Sequence, residues 1–166
     1  MKKGFFLLLT FVIFLVSCNK KSNKCNYSES NITAPQSEID SLQHYLTLNG
    51  ISAMLHSSGV FYHVDTVGTG AVPNICSTIS VTYAGTLLSN NYVFETRTQP
   101  IDFALGSAII GWQKGLQLVN AGCYFTLYIP PSLAYGQNAI TDTNTGQVII
   151  PANTYLKFVI KLHNVS

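Results

Sequence analysis

The stretch that decides the fold runs from Gly111 to Phe158. It opens with Gly-Trp-Gln-Lys-Gly at 111–115, continues through Ala-Tyr-Gly at 134–136 and Ile-Ile-Pro at 149–151, and ends at Phe158. These motifs are mostly aromatic or aliphatic, and they contain very few side chains that titrate. Such residues, without a nucleophile or metal ligands, suit a reaction that needs a shaped, dry pocket more than acid–base chemistry.

Apolar and aromatic residues around this region follow the patterns of strands and of one short helix. The stretches with strand character are 60–67, 79–88, a third strand broken into 92–95 and 101–105, then 123–129 and 155–162. Trp112, Leu116 and Val119 fall at i, i+4 and i+7, which is one apolar stripe of a helix. A single helix with one apolar face must lie across the sheet to bury it. The pattern predicts an α+β domain with a mainly antiparallel sheet.

The chain before this domain divides into a polar stretch and a second short helix. Residues 19–34 are rich in Ser, Asn and Lys, which is the composition of a flexible tether. From residue 36 the pattern changes, with Ser37 as a cap and Ile39, Leu42 and Leu46 recurring at three and four residues. Gly50 is expected to end this helix.

The first residues have the features of an export signal. Lys2 and Lys3 precede an apolar run over residues 5–16, too short to span a bilayer comfortably. The Leu-Val-Ser-Cys sequence at 15–18 resembles the lipobox of bacterial lipoproteins, in which the signal is cut before a cysteine that is then lipidated. We expect a signal peptide over 1–17 and a lipid on Cys18, with an ordinary signal as the alternative. Asn19 after that cysteine resembles the signal for delivery to an outer membrane.

Charge and residue spacing exclude several functional classes. Of nine basic residues, Lys2 and Lys3 lie in the expected signal, so the remaining seven balance the seven acidic ones. This balance argues against a nucleic-acid-binding protein. The four histidines are scattered at 44, 56, 63 and 163, and no Cys-x-x-Cys is present, so no metal site is expected.

Taken together, the motifs resemble those of the FKBP-type peptidyl-prolyl cis-trans isomerases. The upstream part of the resemblance is carried by Tyr-Ala-Gly at 83–85, Phe-Glu at 94–95 and Phe-Ala-Leu-Gly at 103–106. It covers roughly residues 59–165 and implies an antiparallel sheet wrapped on a short helix. We therefore expect a signal at 1–17, a tether and short helix at 18–58, and an isomerase domain at 59–166.

The resemblance implies a pocket with Trp112 as its floor. Its other residues, each taken from its place in a family motif, are Tyr83, Phe94, Glu95, Ala108, Ile109, Tyr135, Ile150 and Phe158, with Ile101 at a neighbouring wall position. Ile109 N–H and Tyr135 O–H would donate to the substrate. Phe103, Leu116, Val119 and Leu127 are assigned to the core.

Several positions depart from the family pattern. Glu95 stands where Asp is usual, Ile101 where an aromatic is common, and Ala108 where a larger aliphatic is usual, which would make that wall roomier. The segment 137–148 is longer than in compact members, so substrate choice is the property most affected. Cys76 and Cys123 each precede a predicted strand, and in the family topology these two strands start at the same end of the sheet. We expect a Cys76–Cys123 disulfide, which requires the loops to bend inward across two strand spacings of about 9.6 Å.

The resemblance implies prolyl isomerisation in exported proteins, without a cofactor. The expected partners are proline-containing polypeptides, the family's macrolide inhibitors and, through the lipid, a membrane, most simply an outer membrane facing the periplasm. A peptide-binding or chaperone module on the same fold is the alternative. A purely structural lipoprotein would leave the aromatic motifs unexplained.

Overall fold

The computed structural model describes residues 25–166, and its main element is a six-stranded antiparallel sheet. The strands of this sheet are β1 Met54–Leu55, β2 Phe61–Thr66, β3 Thr78–Leu87, β4 Val93–Ala104, β5 Tyr124–Ile129 and β8 Leu156–Val165. They lie in the order β1-β2-β5-β8-β3-β4. A separate hairpin joins β6 Ile140–Thr141 to β7 Val148–Ile150. The helices are α1 Gln36–Leu48 and α2 Ile110–Leu116, and single 3-10 turns occupy Leu105–Ser107 and Pro131–Leu133.

Helix α2 lies directly on β5 because two glycines remove the side chains that would separate them. A Cβ at Gly115 would lie 2.5 Å from Leu127 Cδ2, and one at Gly111 would collide with Ile129. Leu116 on the same helix is fully buried. Close contact between α2 and the sheet therefore sets the height of Trp112 above it.

Helix α1 covers the opposite face of the sheet. Successive residues of a strand point to opposite faces, so Tyr128 faces away from α2 when Leu127 faces towards it. Leu42 and Leu46 of α1 pack in one cluster with Tyr128 and its cross-strand partner Phe61. Ser37 is not the cap we expected: Pro35 occupies the N-cap position, without a side-chain cap.

Strand β4 is continuous, which corrects the prediction of a broken third strand. The middle of β4 is polar and contains Pro100, a residue that is unfavourable inside a strand. Since β4 lies at the edge of the sheet, a proline can be accommodated there without removing a ladder hydrogen bond. The pairing of β4 with β3 shifts in register between Val81 and Tyr83 and again between Gly85 and Thr86. These bulges accommodate the polar middle of β4 without ending the strand.

Residues 25–34 are fixed to the domain, which corrects the expectation of a flexible tether through Ala34. Tyr27 packs so closely on Gly106 that a Cβ there would collide with its ring. Ala34 is buried, and its N–H donates to Ser58 O at 2.9 Å. We call residues 25–38, which run from here into α1, the N-terminal strap.

The disulfide joins Cys25 to Cys76, so the predicted Cys76–Cys123 pairing is wrong. The expected topology is present, because β3 and β5 both flank β8 and run parallel to each other. Two strand spacings of about 9.6 Å separate such strands, whereas the strap brings Cys25 to a Cα–Cα distance of 5.5 Å from Cys76. Among the described cysteines Cys123 is unpaired and buried, and burial raises the pKa of its thiol.

The expected signal peptide and Cys18 lie outside the described residues. Within residues 25–166, neither helix has the length and apolar character needed to cross a membrane.

Candidate functional site

An aromatic pocket of about 310 Å³ opens above α2. Its lining residues are Tyr83, Glu95, Phe103, Ser107, Ala108, Ile109, Trp112, Tyr135 and Phe158. Seven of the residues proposed from the sequence are in this set. Phe94, Ile101 and Ile150 are not.

Trp112 forms the floor and is held by rings on three sides. Its ring centroid lies 5.0 Å from that of Tyr83 and 5.2 Å from that of Phe158, both in edge-to-face geometry. Phe103 approaches at 5.9 Å in a tilted arrangement. Such pairs add stability beyond their buried area, so the floor is rigid before any ligand arrives.

Phe103 was assigned to the core from its sequence, and the structure places it at the pocket. Its side chain is half-buried, because it projects from edge strand β4 towards Trp112. Phe94, expected as a wall, packs behind Phe158 with centroids 5.6 Å apart. Ile150 is buried in the core, and Ile101 packs against that core from β4.

The segment before α2 is shaped by Gln113, which our sequence reasoning missed. Its side-chain amide is buried and donates to Ala108 O at 2.7 Å and to Gly106 O at 3.2 Å. The available signal was an amide directly after Trp112, on a short helix whose other polar side chain is Lys114. Gln113 thereby fixes the backbone that carries Ala108 and Ile109.

The backbone N–H of Ile109 remains available to a ligand. Ile109 is the N-cap residue of α2, and its carbonyl accepts from Trp112 and Gln113. Among the described residues no acceptor is paired with Ile109 N–H. A half-buried, unpaired donor at the pocket edge suits a carbonyl oxygen from an incoming chain.

Tyr135 reaches the pocket from the turn that follows β5. Gly136, with φ of 57°, lets the chain reverse here, and its N–H donates to Pro131 O at 2.9 Å. Burial, followed by the nearby negative charge of Glu95, raises the pKa of the Tyr135 hydroxyl. The hydroxyl is therefore a neutral donor across the physiological range.

An ion pair between Glu95 and Arg97 lies at the rim of the pocket. Glu95 Oε1 accepts from Arg97 Nη2 at 2.8 Å and from Arg97 Nε at 3.0 Å, and Arg97 is the cross-strand partner of Tyr83. Burial and then Glu95 raise the pKa of Tyr83 to about 12. Burial, with a smaller contribution from Glu95, keeps the hydroxyls of Tyr83 and Tyr135 protonated, so neither exchanges a proton near neutral pH.

The long segment at 137–148 is an ordered hairpin. Asp142 Oδ1 accepts from the backbone N–H groups of Asn144 at 2.9 Å and Thr145 at 2.8 Å, which close the turn. These bonds lower the pKa of the Asp142 carboxyl. A cavity of about 500 Å³ lies between this hairpin and the turn at 90–92, with Phe94 at its inner side.

A further cavity of about 400 Å³ lies beside α1, lined by residues such as Tyr45, Leu88 and Tyr155. It is larger than the aromatic pocket, but none of the residues proposed for the site contributes to it. The convergence of several rings with two free donors, and not volume, identifies the site. Within residues 25–166, no three His, Cys, Asp or Glu side chains are grouped as metal ligands would be.

Comparison with known proteins gives one consistent result. The family model described as FKBP-type peptidyl-prolyl cis-trans isomerase matches residues 70–163. FKBP-type peptidyl-prolyl cis-trans isomerase FkpA of Aeromonas hydrophila is 35% identical over 124 residues, covering 72% of this chain and 44% of that protein. Outer membrane protein MIP of Legionella longbeachae is 33% identical over 111 residues, covering 66% of this chain and 44% of that protein. The chain spans less than half the length of these two relatives.

Solved structures agree with the sequence comparisons. A peptidyl-prolyl cis-trans isomerase from Pseudomonas syringae pv. tomato superposes with a TM-score of 0.66 at 29% identity, over 80% of this chain and 97% of that one. FkpA from Escherichia coli superposes with a TM-score of 0.63 at 28% identity, over 79% of this chain and 64% of that one. The predicted α+β fold, a sheet wrapped on a short helix, is confirmed.

Proposed function

Because the chain belongs to the FKBP-type peptidyl-prolyl cis-trans isomerase family, we propose that it catalyses cis–trans isomerisation of X-Pro bonds in polypeptides. The observation that carries this proposal is the aromatic pocket with two unused donors, Ile109 N–H and Tyr135 O–H. Proline-bearing chains are the substrates that such a pocket suits, since the proline ring is apolar and its amide lacks an N–H.

Rotation about an amide breaks its resonance, and the barrier is about 18–20 kcal/mol. Water bound to the imide carbonyl favours the planar ground state. Trp112 and Phe158 would strip that water from the proline end, while Ile109 N–H and Tyr135 O–H hold the flanking chain in a turned shape. Binding the twisted amide more tightly than either planar form lowers the barrier. No proton transfer or covalent intermediate is needed, in agreement with the raised pKa values of Tyr83 and Tyr135.

The test is exchange spectroscopy on a short X-Pro peptide, with and without catalytic amounts of the protein. We expect faster exchange and a parallel change in the emission of Trp112, which is the single tryptophan of the sequence. A macrolide of the kind that inhibits this family should displace the peptide. Peptide binding without faster exchange would support the alternative, a binding or chaperone module, which the roomier wall at Ala108 favours.

We further propose that the protein is exported and held on a membrane, the outer membrane being the expected one, through a lipid on Cys18. The Cys25–Cys76 disulfide supports an oxidising compartment, and two or more acyl chains would give firm attachment. Intact mass of the detergent-extracted protein tests this. An N-terminus other than a lipid-modified Cys18 would refute the anchor and leave the isomerase proposal standing.

A further inference from the structure

The N-terminal strap bonds to both elements that carry the pocket. Glu29 accepts from Gln117 Nε2 at 2.9 Å and lies 3.5 Å from Lys114 Nζ, at the end of α2. Glu38 reaches the 131–136 turn, where its Oε2 accepts from Ser132 N at 3.0 Å and Ser132 Oγ at 2.8 Å. The second contact is the closer link to function, because Ser132 lies three residues before Tyr135.

The two bonds to Glu38 satisfy donors that the turn itself leaves unpaired. Ser132 is in the first turn of the 3-10 segment, where backbone N–H groups lack a partner within the segment. Glu38 is half-buried and forms no ion pair among the described residues. Its carboxylate is instead held by charge-assisted bonds to Ser132 and by its place in the first turn of α1.

Helix α1 gives Glu38 a rigid base. Leu42 and Leu46 are each 1% exposed and pack against Phe61 and Tyr128 of the sheet. A side chain on a packed helix positions its partner better than one on a loop. The turn is thus joined to the sheet on one side through β5 and to α1 on the other through Glu38.

We propose that Glu38 is a positioning residue of the isomerase site: by bonding Ser132 it fixes the 131–136 turn and keeps the Tyr135 hydroxyl directed at the pocket. The inference rests on the proposed function. It also gives the residues before the family-matched region 70–163 a direct part in the activity.

The test is a double-mutant cycle between Glu38 and Tyr135. Glu38→Ala should lower the rate of peptide exchange by about two- to twelvefold, the range expected when one hydrogen bond to the substrate is weakened. Glu38→Gln should retain most of the rate, because its amide oxygen can accept both bonds. Asp40→Ala is the matched control, since Asp40 is exposed on the same helix and its side chain, among residues 25–166, bonds only to Gln36. All variants are assayed where denaturant titration finds them folded.

The decisive comparison is made in the Tyr135→Phe background, where no hydroxyl remains to be positioned. There Glu38→Ala should have no further effect on exchange. A purely structural role for Glu38 would give the same loss in both backgrounds, and that result would overturn the proposal. An unchanged rate in Glu38→Ala with Tyr135 present would also overturn it.

The affinity of the same variants for the peptide is also measured, using the emission of Trp112. This second measurement allows the isomerase proposal and the positioning proposal to be refuted independently of each other. A wild-type protein that binds peptide without catalysing exchange refutes the isomerase function. Coupling between Glu38 and Tyr135 in the affinity then sustains the positioning role, and additivity refutes it. A wild-type protein that neither binds nor exchanges the peptide refutes both proposals.

Discussion

The ring of Trp112 meets the ring of Phe158 at an interplanar angle of 89°, with centroids 5.2 Å apart. Phe158 belongs to β8, the strand between β3 and β5, whereas Trp112 belongs to the helix that crosses the sheet. Together with the contact that Tyr83 of β3 makes with Trp112, this contact joins the pocket floor to the sheet. The floor can therefore move only if the sheet or α2 moves with it.

Phe94→Ala should lower the rate of peptide exchange about tenfold or more. Phe94 packs edge-to-face on Phe158, in a pair worth about 0.5–1.5 kcal/mol, or about two- to twelvefold in rate. Its truncation also lets Phe158 relax away from the pocket and admits water, which adds to this loss. Exchange spectroscopy measures the rate. Tyr92→Ala, in an exposed aromatic two residues earlier, is the control and should leave the rate unchanged. Equal rates for wild type and Phe94→Ala would contradict this support role.

Tyr135→Phe should have the milder effect, a loss of about two- to twelvefold. It removes one neutral hydrogen bond, worth roughly 0.5–1.5 kcal/mol, and leaves the ring that fills the wall. Separate kcat and KM values show whether the bond acts in the transition state or equally in the bound substrate. A hundredfold loss would mean that the hydroxyl does more than position the chain.

The rate of exchange should be flat from about pH 6 to pH 10. The raised pKa of Tyr83, about 12, keeps its hydroxyl protonated throughout that range. Glu95→Gln should leave this profile unchanged and lower the Tyr83 pKa, which stays above 10.0 because burial is the larger cause. Tyrosinate absorbance, compared with a Tyr83→Phe variant, measures the pKa. An inflection near neutrality would show that a titrating group takes part.

The same shift predicts an alkaline loss of stability. The unfolded chain releases the Tyr83 proton near its ordinary pKa of 10.0, whereas the folded protein holds it until about 12. The contribution of this group is complete below pH 10 and is lost as the pH rises through 12. Denaturant titrations across this range should detect the decline, and Tyr83→Phe should reduce it.

Reduction of the Cys25–Cys76 disulfide should lower the free energy of unfolding. The bridge closes a loop with a sequence separation of 51, for which chain entropy gives about 4 kcal/mol. Denaturant midpoints with and without reductant measure the loss. In unreduced, denatured protein only Cys123 should contribute a free thiol among these three cysteines. Cys123→Ala is the control and should remove that thiol while keeping the response to reductant. Three thiols before reduction would contradict the pairing.

The sequence alone was sufficient to predict the strands whose hydrophobic pattern is strong. The strands β2, β3, β5 and β8 were predicted within a few residues because each alternates apolar and polar side chains or is buried on both faces. Strands β1 and β6 have only two residues each, which is too short for a pattern. The continuity of β4 depends on its edge position, and that is a property of the assembled sheet.

The positions of site residues that belong to sequence motifs could be predicted, whereas positions that depend on side-chain packing could not. Trp112, Tyr83 and Tyr135 meet around one pocket, as expected. Phe94 lies one ring further back, because Phe158 occupies the space between it and the floor. The strap was missed because its Ser- and Asn-rich composition is typical of a linker, whereas long-range bonds such as Glu38–Ser132 fix it in place.

The Cys25–Cys76 disulfide also limits how far the domain could move from a membrane, because it ties the N-terminal strap to the domain at Cys25. If Cys18 carries a lipid, only six residues, 19–24, lie between the anchor and the disulfide. The chain from Cys18 to Cys25 then reaches about 25 Å at full extension, against about 55 Å for a chain free through Ala34. For a domain with a radius of gyration of roughly 14 Å, the shorter reach is less than its own diameter. Under the proposed function, this short reach would confine isomerisation to the neighbourhood of the membrane surface, and client chains would have to approach the lipid to be bound.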